Sequence, residues 1–132
     1  MATSASAVQE LTRNSFAPAI NDHSFAVVDF WAPRCALCRA FAPVIASAAG
    51  RHPRVLFAKV NTEAERELAG YFGIRSIPTL MIFRENILLF AAAGALSAAA
   101  LDEVLAGAAA LHLDAVRREA AAQLVAAKAQ SR

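Results

Sequence analysis

The run Val27-Val28-Asp29-Phe30-Trp31-Ala32-Pro33-Arg34-Cys35-Ala36-Leu37-Cys38 holds both cysteines of the chain, three apart, where the sequence changes character. Ahead of them, Phe25 to Trp31 is a nearly continuous apolar stretch, which predicts a strand buried on both faces of a parallel sheet. Behind them, an Ala-rich segment from Cys35 to about Gly50 puts Phe41, Val44, Ile45 and Ala48 on one helical face, with Pro43 expected to kink it. A Cys-x-x-Cys between a strand and a helix reads as a redox motif. A thiol at a helix N-terminus meets unsatisfied backbone N–H groups and the positive end of the dipole, so its thiolate is favoured. The thiolate is the form that attacks disulfides. The second cysteine lies one turn on, close enough to close a four-residue ring and release a mixed disulfide.

Two other uses of the pair fit the sequence less well. A structural zinc site takes four Cys or His ligands, and His23, His52 and His112 have no ligand-like spacing to the pair or to one another. No metal is therefore expected. A purely structural disulfide in so small a ring would remove only about 2 kcal/mol of loop entropy.

A chain of 132 residues suits one small domain with a real core. Its formal net charge of +2 is too weak to imply nucleic acid or an anionic membrane as a partner. The hydrophobic content of 58% looks high, but 34 of the residues are alanine, which enriches helix without demanding lipid. The longest apolar stretch, Ile87 to Leu101, is broken by Gly94 and Ser97 and is too short to span a bilayer. Residues 1–10 have neither a basic start nor an apolar core, so no secretory signal is expected. With no cysteine beyond the pair, the expected compartment is the reducing cytoplasm.

Working outward, the chain alternates strand and helix. Val8 to Leu11 and Val55 to Val60 read as strands, Thr12 to Ile20 and Glu63 to Phe72 as helices, the latter with acids in its first turn. Thr79 to Phe83 and Ile87 to Ala91 read as a hairpin around Arg84-Glu85-Asn86, where Asn86 can supply a positive φ. Ser97 is a plausible N-cap for a helix burying Leu101, Val104 and Leu105, and Gly107 is expected to end or bend it. This order predicts an α/β fold with helices on both sides of a mixed central sheet.

These residues resemble the thioredoxin family. The resemblance runs from about Val8 to Gly107 and is carried by Asp29-Phe30-Trp31-Ala32, Cys35-x-x-Cys38, Pro43, Lys59 in Ala-Lys-Val-Asn, Gly73-Ile74-Arg75-Ser76-Ile77-Pro78-Thr79 and Gly94-Ala95-Leu96. It implies a thioredoxin fold over residues 1–107, with residues 108–132 as a helical extension. It also implies a dithiol–disulfide oxidoreductase that needs no cofactor, acts on protein disulfides and is recharged by a thioredoxin-reductase-like donor. In that likeness Cys35 is the attacking thiol and Cys38 the buried resolving thiol. Asp29 lies beneath the pair and moves the proton of Cys38. A carboxyl in an apolar strand has a raised pKa and can serve as a base near neutrality. Lys59 is then its charge partner, or else a lysine that reaches solvent at the strand end. Ile77-Pro78 is a cis peptide that leaves the Ile77 backbone free to pair with an extended substrate segment, the alternative being a trans proline opening an edge strand. Trp31, Pro33, Gly73, Ile74 and Gly94 line a shallow apolar surface around Cys35.

The chain departs from the family in three places. Ala36-Leu37 stands where Gly-Pro is usual, which frees an N–H near Cys35. Arg34 stands where a second Trp is common; it either favours the Cys35 thiolate or is a solvated loop charge. The tail is the third departure. Leu113, Val116, Ala120, Leu124 and Ala127 fall on one helical stripe that either packs on its own domain or docks a client or a second copy. In the latter case the protein would be an adaptor or holdase with a regulatory redox pair. A proton-transfer acid at Asp29 favours the enzyme.

Overall fold

The computed structural model of the chain describes residues 7–130. The elements are β1 (Val8–Glu10), α1 (Arg13–Asn21), β2 (Phe25–Trp31), α2 (Ala36–Arg51), β3 (Leu56–Asn61), α3 (Arg66–Tyr71), β4 (Thr79–Arg84), β5 (Ile87–Ala93), α4 (Ala98–Ala110) and α5 (Leu113–Gln130). The sheet runs β1-β3-β2-β4-β5. The strands β1, β3 and β2 are parallel, and β4 and β5 antiparallel. The apolar run of β2 thus becomes the central strand, buried from Ala26 to Phe30.

Alternation along β2 divides the core into two layers. Val27 packs with Phe41 and Ile45 of α2, Phe57, Leu80, Ile82 and Leu101 of α4. Ala26, Val28 and Phe30 pack on the other side with Phe16 and Ile20 of α1 and Leu68 of α3. Asp29 falls on the α2 side, the same side as Val27.

Local chemistry sets the helix starts. Thr12 and Ser15 cap α1 reciprocally, and Ser97 Oγ accepts the Ala100 N–H at 3.1 Å to start α4. The start of α3 lies three residues later than the sequence suggests. Asn61 Oδ1 accepts the N–H groups of Glu63 and Ala64, and its carbonyl accepts those of Ala64 and Glu65. Such side-chain-to-backbone bonds compete with helix, and only Glu67 remains as an acid in the first turn. The hairpin turn is two residues, Glu85 (φ 49°) and Asn86 (φ 69°), both left-handed as a type I′ turn requires.

Gly107 does not end α4: the helix continues to Ala110, and Ala108 is buried against the α2 layer. Beyond it, Arg84 donates to the carbonyls of Ala108, Ala109 and Leu111 at 3.2–3.3 Å. Arg117 pairs with Glu85 at 2.9 Å. Leu113 is buried and Val116 half-buried, but Ala120, Leu124 and Ala127 are exposed, so the predicted stripe packs on the domain only through its first turn.

Candidate active site

The strand β2 delivers Trp31 to the C-terminal edge of the sheet, and a turn through Ala32, Pro33 and Arg34 brings the chain to Cys35, whose N–H donates to the Ala32 carbonyl at 3.2 Å. Cys35 is the N-cap of α2, with extended backbone. Its Sγ accepts the Cys38 N–H at 3.1 Å, taking the place a Ser or Asp oxygen fills in an ordinary cap. The pair is joined as a disulfide with Cα atoms 5.2 Å apart. The two sulfurs are unequal: Cys38 is 2% exposed, whereas Cys35 is only partly buried. The amide that reaches Cys35 Sγ is thus that of Cys38, one residue after the N–H gained at Leu37.

The loop before β4 closes over the pair. Cys35 Sγ lies 3.8 Å from the Ile77 carbonyl oxygen, and the Ile77-Pro78 peptide is cis. Pro78 is fully buried and its carbonyl accepts the Gly94 N–H at 2.8 Å. Gly94 has φ 103°, a conformation closed to residues with a Cβ, so this glycine is needed by its own backbone as well as by any approaching chain. Gly73, with φ 66°, sits in the left-handed region that favours glycine. Ile74 is half-buried against the α1/α3 layer with Phe16 and Phe30, which turns part of its side chain away from the apolar surface expected around Cys35.

On the α2 side of β2, Asp29 is 4% exposed and its Oδ1 has no hydrogen-bond partner among the described residues. Burial pushes its pKa up to about 7, against the opposing pull of the Lys59 charge. A cavity of 170 Å³ lined by Val8, Asp29, Ala42, Ile45, Ala46 and Lys59 reaches α2 one turn beyond Cys38. It is large enough for water, which could carry a proton to or from the carboxyl.

Lys59 stands opposite Asp29 in the β2–β3 register, but its Nζ lies 4.9 Å above the Trp31 ring. It therefore acts on Asp29 through space and on Trp31 by a cation–π contact. Thr62, which the sequence reading passed over, holds the other side of this residue: its N–H and Oγ1 both donate to the Trp31 carbonyl, at 2.8 and 3.0 Å. Arg39 was also missed; its Nη1 donates to the Pro33 carbonyl at 2.8 Å and braces the turn that carries Arg34. Arg34 and Pro33 are exposed. Among the described residues no cluster of three His, Cys, Asp or Glu side chains could hold a metal ion.

Comparison with known proteins agrees with this geometry. The thioredoxin family model matches residues 7–107. A thioredoxin 2 relative in Streptomyces coelicolor is 48% identical over 114 residues, covering 86% of this chain and 85% of its own. Thioredoxin 1 of a Nostoc species is 38% identical over 102 residues, covering 76% of this chain and 95% of its own. Among solved structures, oxidised mitochondrial thioredoxin 3 of Saccharomyces cerevisiae superposes with a TM-score of 0.72 over 80% of this chain and 99% of its own, at 23% identity, a likeness of fold. With a Cys-x-x-Cys pair at disulfide distance on that fold, the chain belongs to the thioredoxin family and is a thiol–disulfide oxidoreductase.

Proposed function

We propose that the chain works as a net reductant of protein disulfides in the cytoplasm, recharged by a thioredoxin-reductase-like donor. The observation that carries this reading is the inequality of the two sulfurs, reached from a strand that buries an acid. Cys35, the outer one, attacks as thiolate: its sulfur bonds to one sulfur of the partner disulfide, and the other partner sulfur leaves as a thiolate. Cys38 then gives its proton to Asp29 and attacks Cys35 Sγ, and the second partner sulfur leaves. Two electrons have passed to the partner, and Cys35–Cys38 is left oxidised. The unpartnered Oδ1 of Asp29 and its pKa near neutrality support the acceptor role. Lys59 steadies Trp31 and tempers Asp29. The cis Ile77-Pro78 peptide presents the Ile77 backbone to a partner segment, with Gly73 and Gly94 letting that segment come close. No helix among the described residues is long and apolar enough to cross a membrane, which agrees with the compartment proposed.

Fully reduced chain, mixed with a protein held by one disulfide, should convert that disulfide to thiols one-for-one as Cys35–Cys38 forms. Oxidation of the pair without reduction of the partner, or no reaction at all, would refute the reading.

Residues 108–110 complete α4, so a truncation that spares the helix removes residues 111–132. Removing residues 111–132 should therefore leave a folded, fully active reductase. The expected loss is about 1.5–3 kcal/mol, the burial of one leucine, here Leu113. The Arg117–Glu85 pair is exposed and adds little. Urea unfolding of the shortened chain checks this, and a loss beyond about 5 kcal/mol, more than one large core truncation, would make α5 part of the core.

A further inference from the structure

Three segments meet at Cys35: residues 31–42, which carry the pair; residues 72–79, whose Ile77 carbonyl lies 3.8 Å from Cys35 Sγ; and residues 91–97, tied in by the Gly94–Pro78 hydrogen bond. Together they contain Arg34, Arg39 and Arg75 and no Asp or Glu, in a chain whose formal net charge is only +2. All three arginines are exposed, and Arg39 is clipped to the Pro33 carbonyl beside Arg34. In the segment after β3, Glu65 and Glu67 are engaged by the backbone N–H and guanidinium of Arg13, on the α1 side, and Glu63 follows Thr62, which donates to the Trp31 carbonyl. Asp29 is buried beneath the surface. Within this basic face, Leu37 stands between the two cysteines with 51% of its surface exposed.

An exposed leucine between the two cysteines, with Arg34, Arg39 and Arg75 exposed on the segments that meet there, is a surface of definite chemistry. We propose that this face selects protein disulfides whose flanking residues are acidic, with an apolar side chain seated on Leu37. The inference rests on the disulfide-reductase reading and names the substrate class for that site. Opposite charge steers encounter and fixes register, and like charge rejects basic segments. Burying the leucine adds a contact that carries no charge preference.

The test uses full-length, prereduced protein in single turnover. The substrates are synthetic peptides, each closed by one disulfide, that differ only in flanking Asp/Glu or Lys residues and in Leu or Ser beside the reacting cysteine. Bis(2-hydroxyethyl) disulfide serves as a neutral reference. The acidic peptide should react about tenfold faster than the basic one at low salt, and the ratio should fall towards one at high salt as the charges are screened. Arg34→Glu and Arg75→Glu should each cut or invert that ratio. The ratio is the readout because any effect of the Arg34 charge on the Cys35 thiolate would be common to both peptides. Leu37→Ala should remove an about three- to tenfold preference for Leu over Ser, the scale of a partly buried leucine. A wild-type ratio near one, or a ratio unmoved by both charge variants, overturns the inference while reduction of the neutral disulfide keeps the reductase reading. Failure to reduce the neutral disulfide and every peptide overturns both.

Discussion

Replacing Cys38 by serine is expected to stall the protein as a mixed disulfide through Cys35, whereas Cys35→Ser is expected to form no adduct. Catalysed turnover should fall by at least about a thousandfold in either variant, as when one member of a concerted catalytic set is removed. The asymmetry follows from position. Cys35 caps α2 with its sulfur partly exposed and receives the Cys38 N–H at 3.1 Å, so its thiolate is both stabilised and reachable. Cys38, at 2% exposed, cannot meet a folded partner but can reach Cys35. Mass spectrometry of each variant after exposure to a protein disulfide, with and without dithiothreitol, reads the outcome. Trapping by Cys35→Ser in place of Cys38→Ser would reverse the orientation of the site.

Asp29→Asn is expected to make the protein more stable and less active. In the unfolded chain this carboxyl titrates near 3.8, and in the folded chain at about 7. Between those values the folded state binds more protons, so its stability falls as pH rises, and the full penalty is present above about pH 7. Three pKa units correspond to about 4 kcal/mol. Asparagine keeps the shape without the charge, so the variant should gain about 2–4 kcal/mol at pH 8 and nothing below about pH 4. Denaturant unfolding at the two pH values checks the sign, and equal stability at pH 8 would contradict a strained, ionised Asp29. Activity should move the other way. Without its proton acceptor, resolution by Cys38 should slow about a hundredfold at neutral pH, the usual scale of general-base catalysis. The deficit should close above about pH 9, where a thiol ionises unaided.

Much of this could be read from the residues. The apolar run of β2 announced a central strand, and the position of the cysteine pair between that strand and an alanine-rich helix gave both the cap and the chemistry. What escaped the sequence depended on competition between neighbours. Asn61 entered the sequence reading only through Ala-Lys-Val-Asn, yet its side chain takes the amides of Glu63 and Ala64 and delays α3. Gly107 looked like a stop, but its penalty of about 1 kcal/mol in a helix is outweighed by the helix packing around it, with Leu105 and Ala108 buried against α2. Lys59 could have turned to either of two groups on one face of β2, Asp29 or Trp31, which lie two residues apart; spacing alone does not choose between them, and the lysine lies over the ring. The contacts of Thr62 and Arg39 join segments through backbone carbonyls, which leave no mark in side-chain patterns.

The proposed role requires Cys35 and Cys38 to form a reversible two-electron couple poised to reduce protein disulfides. Its most direct test is the midpoint potential at pH 7, by equilibration against glutathione, read from emission of Trp31, the single tryptophan, which the disulfide should quench. In the oxidised pair the amide on Cys35 Sγ is that of Cys38; on reduction, the N–H gained at Leu37 and the charge of Arg34 are expected to stabilise the thiolate together by roughly 1.5–3 kcal/mol. At about 30 mV per 1.4 kcal/mol this raises a thioredoxin value of about −270 mV to between about −240 and −200 mV. A midpoint at or below about −270 mV would show that neither substitution tunes the site. A midpoint near about −120 mV, the range of a strong oxidant, or no reversible equilibrium at all, would contradict the account.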